Sequence, residues 1–110
     1  MASPVTIFFL ATFFAVGAAA LDDQKIPVER QQELADFVVQ DCGSCHGLTF
    51  KGGLGSAFTK EKLEETPEQV LFEVIEKGIE GTPMPAWGPL LKPEEIKWII
   101  NYLKRVSPDE

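Results

Sequence analysis

Asp41-Cys-Gly-Ser-Cys-His-Gly47 contains a Cys-x-x-Cys-His run, the spacing of a c-type haem attachment signal. Cys42 and Cys45 are three apart, so on a turn of helix they project to one side, where two haem vinyl groups can each receive a thioether bond. His46, next in the chain, is then the expected proximal iron ligand. Gly43, Ser44 and Gly47 are small and leave room for a porphyrin edge beside the backbone. Three plainer readings compete, and each demands something else of the chain. A structural zinc site needs four ligands, whereas Cys42, Cys45 and His46 are the only Cys and His residues present. A thioredoxin-like redox pair needs a βαβ setting, and both flanks read as helical. A structural disulfide leaves His46 without a role. The motif therefore points to one covalently bound haem c.

Upstream of the motif, Val28 to Asp41 has helical composition, with Leu34, Phe37 and Val38 as the buried stripe. Downstream, Leu48 to Ser56 is rich in glycine and poor in periodicity, a loop. Gly47 and Gly52 are spaced like the opening of a phosphate loop, but Gly53-Leu54 stands where Lys-Ser/Thr is required, so nucleotide binding is set aside. The glycines instead let the backbone pass under the proximal face, where a carbonyl can accept a hydrogen bond from His46 and fix its ring.

Lys60 to Glu65 is a charged run expected to be solvated. Thr66-Pro67-Glu68-Gln69 reads as a helix start with Thr66 as N-cap, Pro67 at N1 and Gln69 completing a capping box. Val70, Leu71, Val74 and Ile75 form that helix's apolar face, and Gly78 suits a left-handed stop. The last helix starts at Pro93-Glu94-Glu95, although Lys92 is a poor N-cap. Its apolar stripe is Ile96, Ile99, Ile100 and Leu103, with Trp98 and Tyr102 on an adjoining face as core aromatics.

Gly81-Thr-Pro-Met-Pro-Ala-Trp87 is the second informative stretch. Prolines on both sides hold Met84 in an extended, stiff course. An isolated Met is most often a core filler. Beside a haem motif, and with no second His, Met84 is the expected distal ligand opposite His46. His/Met ligation raises the potential and fills both axial sites, which favours electron transfer over ligand binding. Trp87 packs either on the haem rim or in the core.

The chain has 110 residues, 45% of them hydrophobic and 25% charged, which allows one small domain. A net charge of -7 argues against nucleic acid or an anionic membrane as partner. The acidity suits a partner with a basic docking face, or simply keeps a small secreted protein soluble. Met1 to Ala20 carries no charge and reads as a secretory signal, with an apolar core from Val5 to Val16 and cleavage after about Ala20. Its start lacks the usual Lys or Arg, and an uncleaved anchor is the alternative. Either outcome places the domain outside the cytoplasm, where this motif receives its haem. The expected organisation is a signal peptide over 1–20, a flexible lead over 21–27, the haem domain over 28–107 and a tail over 108–110. A mature domain of about 90 residues is too small for a large core, and a covalent haem supplies the missing apolar mass.

Together these stretches resemble a small class I cytochrome c over about residues 28 to 106. The resemblance implies an all-α fold of three to four helices around one covalent haem c, with Cys42 and Cys45 as thioethers and His46 and Met84 as axial ligands. In that family the first and last helices cross beside the haem, so Leu34, Phe37, Ile99 and Tyr102 are the contacts it implies. Many members have Gly-Pro where this chain has Gly55-Ser56; the carbonyl of residue 56 still suits His46. Asp41 to Gly55 with Gly81 to Trp87 is similar to the NirC-type cytochromes encoded with the haem c and d-type haem nitrite reductase. That likeness implies a periplasmic, monomeric electron carrier with no catalysis of its own, donating to a nitrite reductase. Its rim would be Leu54, Phe58, Pro85 and Ala86, with Glu61, Glu64 and Glu65 steering approach. Two other roles remain open: an assembly factor for that reductase, and a gas sensor or enzyme with Met84 off the iron.

Overall fold

The structure, a computed structural model, describes residues 25–109 together with Ala2. The expected signal peptide over 1–20 and the start of the lead lie outside the described residues, Ala2 apart. The helical expectation holds: among the described residues there is no strand.

Helix α1 (Val28–Phe37) begins at Pro27, whose carbonyl accepts from the Gln31 amide at 2.9 Å. The helical course runs on past Asp41 into the motif, as the helical turn read at Cys42 and Cys45 requires. It widens into a π-helical turn (Val38–Cys42) and continues as a single turn, α2 (Gly43–His46). The widening has a consequence for side-chain direction. Gly43 N–H donates to Val38 O, five residues back, so Leu34, Val38 and Gly43 share the buried side. Phe37 and Cys42, also five apart, both face a cleft. An unbroken α-helix would stack Cys42 beneath Val38 and draw it toward the core.

The charged run is a helix after all. In α3 (Lys60–Glu65) the Thr59 hydroxyl accepts from Lys62 N–H at 3.2 Å as an N-cap, and Leu63 is buried. The capping box read at Thr66 is corrected accordingly. Thr66 donates its hydroxyl to Lys62 O at 2.7 Å, closing α3, while α4 (Glu68–Lys77) starts from Pro67 without a side-chain cap. Gln69 donates to Glu73 instead, at 3.1 Å. The Thr66 hydroxyl and its own N–H both donate to Lys62 O in the last turn of α3, a partner that is invisible while α3 is read as solvated.

Helix α5 (Pro93–Val106) contacts α1, α3 and α4. Lys92 N–H donates to the Glu95 carboxylate at 2.9 Å, half of a capping box that repairs the poor N-cap. Ile96, Ile99 and Ile100 are at most 1% exposed. Arg30 on α1 donates to the buried Glu95 at 2.7 Å and ties the two helices together. Trp98 and Tyr102 stack at 5.0 Å, with the Arg105 guanidinium about 6 Å from both rings. Ile26, in the segment read as a flexible lead, is buried. In the tail, Pro108 O accepts from Lys60 N–H and Asp109 pairs with the Lys60 ammonium at 3.1 Å.

Candidate haem-binding cleft

Helix α4 carries a continuous apolar stripe, yet none of its residues is buried. The reason is a cleft of about 640 Å³ that Val70, Leu71, Val74 and Ile75 all line. Ile99, Ile100 and Leu103 of α5 line it too, as do Cys42, Cys45, His46 and Met84. So large an apolar surface without a protein partner would be costly in water at ~25 cal/mol per Å². Two thiols, an imidazole and a thioether opening on one apolar slot make a donor set that fits a covalently attached haem. Among the described residues, no group of three His, Cys, Asp or Glu side chains converges as a metal cluster would.

His46 is held from several directions. Its Nδ1 lies 2.7 Å from the Ser56 carbonyl. A carbonyl only accepts, so this contact is a hydrogen bond when Nδ1 carries the proton, and Nε2 then keeps its lone pair for a metal. The Phe58 ring stacks on the imidazole at 4.0 Å. Gly52 and Gly55 N–H groups donate to the carbonyls of His46 and Cys45, each at 2.8 Å, folding the loop back beneath the motif. Gly55 permits this approach, because a Cβ there would stand 2.8 Å from both Cε1 and Nδ1 of His46. Cys42 and Cys45 are both free thiols. Burial, aided by the neighbouring Asp41 carboxylate, pushes the Cys42 thiol up to about 11.

Met84 is presented by a loop fastened to the end of α4. Trp87 and Gly88 N–H groups donate to the Ile75 and Glu76 carbonyls, each at 3.0 Å, so the returning loop satisfies acceptors that the helix terminus leaves free. The Thr82 hydroxyl donates to Ile79 O at 2.7 Å and accepts from Met84 N–H at 3.3 Å. Gly78 ends α4 with the positive φ, 69°, expected of it, but with ψ -171° the chain leaves extended and not in the left-handed helical conformation read from the sequence. A Cβ there would meet Met84 O at 2.6 Å and Pro85 C at 2.7 Å, so only glycine lets the Met84 segment lie against the helix end.

The four residues expected at the site thus share one cleft. Of the implied contacts, Phe37 and Ile99 line it and Leu34 and Tyr102 do not. Leu34 belongs to the core beneath α1, and Tyr102 is engaged by Trp98. Of the rim residues, Leu54, Phe58 and Pro85 line the cleft and Ala86 does not. Trp87 meets both expectations, lining the cleft and packing edge-on against Phe37 at 4.9 Å. What sequence reasoning missed is that α4 supplies a wall of the cleft; the signal was an apolar stripe with no surplus core left to bury it. Glu61, Glu64 and Glu65 are exposed and share a shallow hollow with Lys60 and Asp109.

Residues 29–103 match the family model described as cytochrome c oxidase, cbb3-type, subunit III. The chain is 40% identical over 94 residues to cytochrome c55X of Pseudomonas aeruginosa, covering 86% of this chain and 79% of the relative. It is 45% identical over 80 residues to cytochrome c55X of Paracoccus denitrificans, covering 73% and 78%. Among solved structures it is similar to c-type cytochrome NirC, with TM-score 0.71 and 39% identity, covering 76% of this chain and all of that one (100%). It is also similar to dihydro-heme d1 dehydrogenase NirN in complex with DHE, with TM-score 0.59 and 26% identity, over 69% of this chain but 16% of that one.

Proposed function

The chain belongs to the c-type cytochrome family, electron-transfer proteins whose cofactor is a covalently bound haem c, and from that premise we propose that it is a periplasmic carrier of single electrons with a His/Met-ligated iron. The bound haem supplies one-electron chemistry between ferrous and ferric iron. Cys42 and Cys45 hold the group through thioethers. His46 presents Nε2 because its Nδ1–H donates to Ser56 O, and Met84 enters from the loop after α4. The apolar walls exclude water and limit the change in solvation between charge states. The observation that carries this reading is that His46, fixed through Nδ1, and the doubly flanked Met84 open on the same apolar cleft.

Residues 1–20 would be the export signal and 28–107 the haem domain. Among the described residues, no helix is long and apolar enough to cross a membrane. Likeness to NirC supports a nitrite reductase as the electron acceptor, met through the rim of Leu54, Phe58 and Pro85 with Glu61, Glu64 and Glu65 steering it. A second reading is an assembly role for the d-type haem enzyme, favoured by the likeness to NirN, a protein named for its action on dihydro-heme d1.

The test is the spectrum of the protein matured with haem, oxidised and then reduced. The weak near-infrared band of Met-ligated ferric haem is expected, and it should vanish in Met84→Ala. Haem without that band removes the His/Met carrier. Gene deletion separates the two roles: a complete reductase starved of electrons supports the carrier, and a reductase lacking its d-type haem supports assembly.

A further inference from the structure

The two segments proposed to bring the axial ligands are far apart in sequence, and each is braced mainly by its own surroundings. The motif is held by the glycine loop and the Met84 segment by the end of α4. Across the cleft they meet in one aromatic contact, with Phe37 and Trp87 rings 4.9 Å apart and at 88°. Phe37 closes α1 just before the π-helical turn, which then brings Cys42 round to the same cleft side. Trp87 stands three residues beyond Met84, and its backbone is fixed on both sides. Its N–H donates to Ile75 O at 3.0 Å, and its carbonyl accepts from Leu90 and Leu91 N–H at 2.9 and 3.0 Å.

We propose that Phe37 and Trp87 are positioning residues, a clasp that holds the Met84 segment against the haem-attachment helix and thereby keeps Met84 on the iron. The inference deepens the carrier reading and rests on it. An edge-to-face pair of this geometry adds up to about 1.5 kcal/mol beyond burial. Its loss should therefore raise the affinity of ferric iron for an external ligand that competes with Met84 severalfold, up to about tenfold. The clasp also predicts coupling: once either ring is gone, removing the other should change little more.

The experiment uses haem-loaded protein as wild type, Phe37→Leu, Trp87→Leu and the double variant. For each, the near-infrared ferric band, the imidazole dissociation constant and the thermal midpoint are measured. Both single variants should show a weakened band and imidazole binding tighter severalfold, up to about tenfold, with the double variant close to either single. An unchanged band and imidazole affinity, even with a lowered midpoint, would show a purely structural contact and overturn the clasp. Single effects that simply add in the double variant overturn it as well. Should Trp87→Leu fail to mature, Phe37→Leu alone decides by the same band and imidazole affinity. A wild type that lacks the band, or a Met84→Ala that keeps it, sinks the His/Met reading itself.

Discussion

Gly55 shows how one hydrogen atom in place of a methyl group decides the orientation of His46, the proposed axial ligand. Its missing Cβ is what allows the loop to lie against the His46 ring. Gly55→Ala is expected to push that ring off its line with Ser56 O and to cost about 1–3 kcal/mol. The checks are the thermal midpoint and the reduction potential of the haem-loaded variant, both compared with wild type. Glu95 gives a residue-scale prediction in pH. The Arg30 hydrogen bond holds its carboxyl below the ordinary range, opposed by burial and aided by the Lys92 amide. A depressed carboxyl contributes stability above its unfolded value of about 4.3 and loses it as pH falls through the lower folded value. Because Arg30 is partly open to solvent, Glu95→Gln should cost only about 1 kcal/mol at neutral pH. Paired urea titrations should find that gap at pH 7 and see it close below about pH 4.

Among the elements, the π-helical turn carries the sharpest prediction. It holds one residue more than an α-helix needs between Val38 and Gly43. Deleting the exposed Gln40 would therefore let the turn tighten while keeping Val38 and Gly43 on the core side and Phe37 and Cys42 on the cleft side. The deletion is expected to leave both thioethers intact, which mass spectrometry of the haem peptide reads directly. A free Cys42 in that peptide would mean that the register depends on the extra residue. Sequence periodicity could not show this turn, since Leu34, Phe37, Val38 and Asp41 fit an ordinary helix equally well. The same limit hid α3: five of its six side chains are charged, and a single buried Leu63 leaves no period to detect.

For the molecule as a whole, the cleft is as much a part of the core as Ile96 or Ile100. The apolar face of α4 turns toward it, so α4 depends on the haem for burial while α5 also has the packed interior. Without haem, α4 and the Met84 loop are expected to lose fixed packing first. Near-ultraviolet dichroism of Trp87 and hydrogen exchange in α4 should collapse in the haem-free chain while α1 and α5 keep part of their protection. A haem-free protein with native protection in α4 would contradict this dependence.

The Cys42-x-x-Cys45-His46 spacing and the proline-flanked Met84 determined the cofactor and the expected donor set, because covalent attachment demands particular residues at particular short intervals. Helices at 68–77 and 93–106 were legible for a similar reason, since amphipathic period and capping chemistry are local. Tertiary structure alone decided that α4 walls the cleft and that Phe37 meets Trp87. Those outcomes rest on contacts between residues far apart in the chain, where the winning partner is set by how the helices pack and not by anything in the neighbouring sequence; Thr66 and Tyr102 take partners only four residues away, Lys62 and Trp98, and there the structure decides which of two local partners is used.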